Sequence, residues 1–221
     1  ILKKGIHVVS ASKLANVLNQ DYYDSIRESA STVGTLFKYE TNVGAGLPII
    51  QSLQTLLITG DRVEKIEGIM SGTLSYLFSR FDGSIPFSKL VRLANEKGYT
   101  EPDPRDDLNG VDVGRKILIL ARETGAQLEL DDVYIHNLIP EKMDPTFTID
   151  EFFENLSKYD NLFLDMYTSA SKENKVLRYI ATWNGKNAIV KLKAVGIDNP
   201  FYHQNGRENF IMFTTKRYKD T

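Results

Sequence analysis

The segment GYTEPDPRDDLNGVDVGRK, Gly98 to Lys116, gathers the residues of this 221-residue chain best suited to chemistry. Glu101, Asp103, Asp106 and Asp107 fall in a loop with two prolines, which restrict the backbone and hold the carboxylates in few arrangements. A fixed acidic loop can grip an ammonium group. In the helix expected next, from about Asn109 to Thr124, Asp112 and Lys116 stand at i and i+4 on one face, with the acid nearer the N-terminus, the favourable order for an ion pair. Standing alone, such a pair reads as a solvated helix surface. Here Ile119 continues the same stripe while Val113, Ile117, Leu120 and Ala121 fill the opposite one, so the helix should be buried. A lysine on a buried helix needs a reason.

Three weaker signals accompany it. In ETNVGAGLP, Glu40 to Pro48, Gly44 and Gly46 allow positive φ, and carbonyls freed by the turn could join the Glu40 carboxylate around a hard cation such as sodium. The plain reading is a strand-to-helix turn, and no GxGxxG fingerprint is present. Ser71, Gly72 and Thr73 sit between an expected strand and helix, where backbone N–H groups and a hydroxyl can receive an anion or simply cap the helix. Lys13 follows the first strand, at the end of a parallel sheet where ligands bind, although a lone lysine is ordinarily a surface residue. His7, His136 and His203 lack metal-ligand spacing.

The elements that must position these groups follow from pattern. A basic, glycine-ended start leads into the β-branched run Ile6–Val9, as a βαβ unit passes from helix to strand. Ser12 to Leu36 is helical in composition, and Phe37 begins a short strand before the glycine turn. Pro48 opens a helix that stops at Gly60. The strand VEKIEGIM follows, then helices over Thr73–Phe81 and from Ser88, as N-cap, to Lys97. Val176–Trp183 and Ala188–Val195 form a hairpin through Asn184 and Gly185, and Phe210–Thr215 is a last strand. The 139–150 stretch reads as a connection and SASKENK, near residue 172, as a polar loop.

Composition bounds the function. With 42% hydrophobic and 25% charged residues the chain is an ordinary globular protein, and a net charge of −2 gives no basic field for nucleic acid or membrane. Small molecules are the expected partners. No cysteine is present, which excludes thiolate chemistry and fits the cytoplasm. We expect an α+β fold, a mixed and largely antiparallel sheet covered by helices on one face, with the tail of a Rossmann-like nucleotide-binding domain over residues 1–36 and a catalytic and dimerisation domain over 37–221. The uncovered sheet face would suit a homodimer.

The blocks GYTEPDPRDDLNGVDVGRK, ETNVGAGLPII, EGIMSGTLSYLF and FTTKRYKD resemble, in order and over nearly the whole chain, the homoserine dehydrogenase family, and most nearly the dehydrogenase half of bifunctional aspartokinase and homoserine dehydrogenase proteins. The resemblance implies NADP- or NAD-dependent interconversion of homoserine and aspartate semialdehyde in threonine and methionine synthesis, in a chain fused to an aspartokinase. It implies Lys116 as the proton-transferring residue, Asp112 and Glu101 on the substrate, Asp106 supporting the acidic loop, and Gly72, Thr73 and Tyr99 lining the pocket. It places the cofactor on Ala11, Lys13 and Gly98, and a structural sodium or similar cation at Glu40 with the carbonyls of Val43, Ala45 and Leu47. Two features depart from the family: Ser12 stands where an asparagine usually precedes the lysine, and the N-terminal GxGxxG and C-terminal glycine-rich cofactor stretches are lacking, as expected of a fragment inactive alone. Oxidising the alcohol needs a base at its hydroxyl beside a positioned cofactor, which a lysine can supply, while the acids hold the substrate's amino group. The other readings are a noncatalytic dimerisation module that kept the fold, and a dehydrogenase for another amino alcohol.

Overall fold

The computed structural model describes residues 1–219. Its N-terminal layer is a parallel strand pair, β1 (Val8–Val9) beside β2 (Phe37–Lys38), joined through α1 (Leu14–Val17) and α2 (Gln20–Val33). The Asn19 side chain accepts the N–H of Tyr22 to start α2, and Gly34, at φ 72°, ends it in the left-handed conformation.

Next come α3 (Ile49–Ile58), β3 (Val63–Ile69), α4 (Gly72–Arg80), α5 (Phe87–Glu96), a single turn α6 (Arg105–Leu108), and α7 (Val111–Glu123). Then follow β4 (Val133–Ile135), α8 (Ile149–Leu156), α9 (Asp160–Lys172), β5 (Val176–Trp183), β6 (Ala188–Val195) and β7 (Phe210–Thr215). The five-stranded sheet has the order β4-β6-β5-β3-β7, with β4 parallel to β6 and the other pairs antiparallel. β5 and β6 pair along their whole length, Val176 opposite Val195 and Trp183 opposite Ala188. Their turn is held by Asn184 Oδ1, which accepts the N–H of Lys186 and Asn187.

Alternation along the strands sends Ile66, Leu177, Tyr179, Ala181, Trp183 and Val190 to one face, where they form the core with α7. The other face carries Lys65, Glu67, Thr182 and Lys193, with Ile69, Ile180 and Val195 covered by Phe201. Residues Ile117 to Ala121 of α7 have no exposed surface, so this helix is fixed on nearly all sides. Full burial of each such aliphatic side chain contributes about 1.5–3 kcal/mol. Two glycines let α7 come so close. A Cβ on Gly110 would overlap the Tyr179 hydroxyl and one on Gly114 would overlap Ile135 Cδ1.

The structure differs from the sequence expectations at five places. The acidic loop contains the helical turn α6. Ser88 is not an N-cap: Pro86 occupies that position, and the N–H and hydroxyl of Ser88 both donate to the Asp160 carboxylate at the start of α9, each at 2.7 Å. The 139–150 connection already enters α8, which begins with a reciprocal capping box between Thr148 and Glu151, and α9 runs on to Lys172 inside the expected polar loop. Finally, β4 lies in a stretch for which the sequence suggested no strand.

Candidate active site

Gly110, in the left-handed conformation at φ 72°, turns the chain into α7, and Asn109 Oδ1 takes the N–H of Val111 at 2.8 Å. Asp112 lies in the first turn of the helix and Lys116 one turn on. The Lys116 ammonium sits 2.8 Å from Asp112 Oδ2 and donates to the carbonyl of Met70, at the end of β3, at 2.7 Å. Its side chain is 16% exposed. Lys13 reaches in from the N-terminal layer, its Nζ 3.0 Å from Asp112 Oδ1. One carboxylate thus stands between two ammonium groups from different layers. Burial alone would lift the Asp112 carboxyl, but Lys116 and Lys13 outweigh it and hold it below the ordinary aspartate range. At the Asp112 carboxylate itself two cations meet one anion, which favours an oxygen carrying developing negative charge beside the Lys116 ammonium.

The acidic loop is organised from inside by Asp107. Its Oδ2 accepts the N–H of Glu101 at 2.8 Å, and burial, with the charges of Glu101 and Asp112 adding, pushes its carboxyl above the ordinary value. Asp106, expected to support the loop, is exposed; α6 turns its neighbour inward instead. Asp103 is spent locally, paired with Arg105 at 2.6 Å. The Glu101 side chain is exposed and free to meet a ligand.

At the start of α4, Ser71 accepts the N–H of Leu74, the plain capping role. The buried Thr73 hydroxyl donates to the carbonyl of Tyr99 at 2.7 Å, and the Tyr99 ring meets Tyr76 edge-on at 5.0 Å, so Gly72, Thr73 and Tyr99 share one wall. Met70 links that wall to Lys116. Gly98 is exposed at φ 66° with open space where a Cβ would point.

Two fully buried asparagines went unread in the sequence. Asn42 Nδ2 donates to the carbonyls of Ser10 and Ala11, and its Oδ1 accepts from Asn16 at 2.8 Å, tying the segment before Lys13 to the layer beneath. Below them Glu123, at the end of α7, receives the hydroxyls of Tyr23 and Tyr39, the Gln54 amide at 2.7 Å and Arg27 at 3.4 Å. Burial, reinforced by the Glu123 charge, keeps both phenols protonated, as donors.

In the glycine turn the Glu40 carboxylate caps α3, accepting the N–H groups of Ile50 at 2.8 Å and Gln51 at 3.0 Å, so it is already satisfied by the helix N-terminus. The Leu47 carbonyl accepts from Ile49. Ala45, at φ 52°, turns the chain, and among the described residues the carbonyls of Val43 and Ala45 accept no hydrogen bond, the free oxygen donors a hard cation needs. Clefts of about 440 and 670 Å³ lie elsewhere, against α2 and beside Trp183.

Fold and site define a class of α+β proteins in which a mostly antiparallel sheet backs a helix presenting an acid–lysine pair, beside a short parallel strand pair. The homoserine dehydrogenase family model matches residues 48–221. The chain is 46% identical over 221 residues to bifunctional aspartokinase/homoserine dehydrogenase 2 of Zea mays, covering 99% of this chain and 24% of that protein. To homoserine dehydrogenase of Schizosaccharomyces pombe it is 42% identical over 225 residues, covering 98% and 60%. Among solved structures, a Candida auris protein of unknown function superposes with a TM-score of 0.93 at 38% identity, covering 98% of this chain and 63% of that one. A putative homoserine dehydrogenase from Archaeoglobus fulgidus shares the fold, with a TM-score of 0.79 at 24% identity, covering 97% and 59%. The chain belongs to the homoserine dehydrogenase family. It spans about a quarter of the length of the plant bifunctional relative and 60% of the yeast one.

Proposed function

We propose that this chain is the substrate-binding and catalytic part of a homoserine dehydrogenase that interconverts L-homoserine and L-aspartate 4-semialdehyde with NADP or NAD. The reading rests on one observation: the Lys116 ammonium, held by Asp112 and the Met70 carbonyl, has Lys13 across the same carboxylate. When bound, the nicotinamide cofactor supplies the hydride acceptor or donor, and Ala11, Lys13 and Gly98 are the residues that would touch it. In the reducing direction Lys116 gives a proton to the aldehyde oxygen; in the oxidising direction its neutral amine takes the hydroxyl proton. Asp112 and the Met70 carbonyl orient it, and Glu101 with the Asp107-organised loop binds the substrate ammonium. Gly72, Thr73 and Tyr99 form the facing wall. A sodium or similar ion would bind at Glu40 with the backbone carbonyls of Val43, Ala45 and Leu47 as a structural group.

The names of the bifunctional relatives support a full-length protein that also carries an aspartokinase. The sheet face bearing Lys65, Glu67, Thr182 and Lys193 is offered to a second copy in a homodimer. No helix among the described residues is long and apolar enough to cross a membrane, and cytoplasmic action is our reading, although the plant relatives are named chloroplastic. An assay of the full-length protein with homoserine and each nicotinamide cofactor tests the proposal: cofactor reduction dependent on homoserine supports it, and none with either cofactor rejects it.

A further inference from the structure

Homoserine is a zwitterion at neutral pH, and the site so far accounts for only two of its three polar groups. The lysines stand at the hydroxyl end, and the acidic loop suits the ammonium. A carboxylate needs a cation set apart from those acids, and the segment after β6 brings one. Arg178, 5% exposed, donates to the carbonyls of Phe201 at 3.0 Å, Tyr202 at 2.8 Å and Gln204 at 2.9 Å. Ser75 of α4 then donates to the carbonyl of Gly206 at 2.8 Å. The next residue, Arg207, is thereby pressed against the start of α4. Its carbonyl oxygen lies 3.1 Å from where a Cβ on Gly72 would stand, and its guanidinium carbon lies 4.4 Å from the Tyr99 ring centroid.

We propose that Arg207 binds the substrate α-carboxylate and so sets specificity for an amino acid over a simple amino alcohol, a role that rests on the homoserine reading above. Among the described residues Arg207 forms no salt bridge, so its fork is available. Stacking on Tyr99 orients a planar, permanently charged group that matches a carboxylate with two parallel bonds. Lys116 Nζ is bonded to the Met70 carbonyl, and Gly72, against which the Arg207 backbone packs, is only two residues further on, so both cations belong to the two ends of one short segment. The free N–H groups at the start of α4 face the same anion and add to its binding.

The test uses full-length protein and two small molecules: homoserine, and 3-aminopropan-1-ol, which is homoserine without its carboxylate. Arg207→Ala should raise KM for homoserine about tenfold or more with kcat changed by less than about twofold, since only ground-state and transition-state binding of a remote group is lost. The inhibition constant of 3-aminopropan-1-ol should stay unchanged, and Arg207→Lys should recover part of the lost affinity. An unchanged KM for homoserine in Arg207→Ala overturns the assignment. So does a parallel rise in KM and in the 3-aminopropan-1-ol constant, which would mean that Arg207 only props the wall. Failure of the wild-type protein to oxidise homoserine at all would instead remove the underlying reading.

Discussion

Lys13 and Asp112 meet at 3.0 Å although one follows the first strand and the other starts the central helix. That contact joins the N-terminal layer to the helix carrying Lys116, so under the proposed function cofactor and substrate would be placed against each other through a single carboxylate. Lys13→Ala should lower kcat/KM with either cofactor by roughly tenfold to a hundredfold. It should leave the thermal midpoint nearly unchanged, because a part-exposed pair contributes only about 0–1 kcal/mol and Asp112 keeps Lys116. Steady-state kinetics beside a melting curve reads both.

Asp107 has its carboxyl raised by burial, so the folded protein favours its protonated form more than the unfolded chain does. Its contribution to stability is therefore fully present below the ordinary aspartate pKa, about 3.9, and is lost as pH rises through the raised folded value. Asp107→Asn keeps an oxygen for the Glu101 N–H and removes this dependence. Urea midpoints of the variant relative to wild type should shift in the variant's favour between about pH 4 and pH 7. A difference that stays flat, or runs the other way, would contradict the assignment.

Gly110 combines a left-handed backbone with an approach to Tyr179 that leaves no room for a methyl group. Gly110→Ala should cost about 2–4 kcal/mol of unfolding free energy from strain and overlap together. In a double-mutant cycle, Tyr179→Phe, which deletes the oxygen that a Cβ would strike, should make the glycine substitution less costly. Additive losses would place the cost in the backbone alone.

Glu123 and Arg27 couple α7 to α2 through a network that includes Tyr23, Tyr39 and Gln54, with the Arg27 guanidinium carbon 3.4 Å from the Tyr23 ring centroid. Removing the Glu123 carboxylate leaves several part-buried donors without an acceptor. Glu123→Ala should therefore cost about 2–4 kcal/mol. A cycle with Arg27→Met should give a coupling of about 1 kcal/mol or more, measured by chemical denaturation. A coupling near zero would make the two sites independent.

The sheet was legible where its signal is local. Val176–Trp183, Ala188–Val195 and Phe210–Thr215 are rich in β-branched and aromatic residues around an Asn-Gly turn, and each lies within the same bounds in the structure. β4 was not legible, because three residues paired in parallel to a distant strand leave no pattern of their own. α8 carried a readable capping box at Thr148 and Glu151, but the prolines before it suggested a connection. Asp160 is distant in sequence and belongs to α9, so the local pattern offers Ser88 as the cap whose role Asp160 fills.

At the site, the i, i+4 spacing was enough to pair Asp112 with Lys116, since a helix of 3.6 residues per turn imposes it. Choosing between Asp106 and Asp107 needs the phase of α6, set by packing rather than by the acids themselves. Glu40 shows the same limit: its partners are N–H groups ten and eleven residues on, so its helix-capping role emerges only once the glycine turn has folded back.

The central claim is that Lys116 transfers the proton. The most direct measurement is kcat for homoserine oxidation by full-length Lys116→Ala at saturating cofactor. The account predicts a fall of roughly 10²–10⁴-fold with the fold intact by circular dichroism; a kcat within a factor of a few of wild type would contradict it.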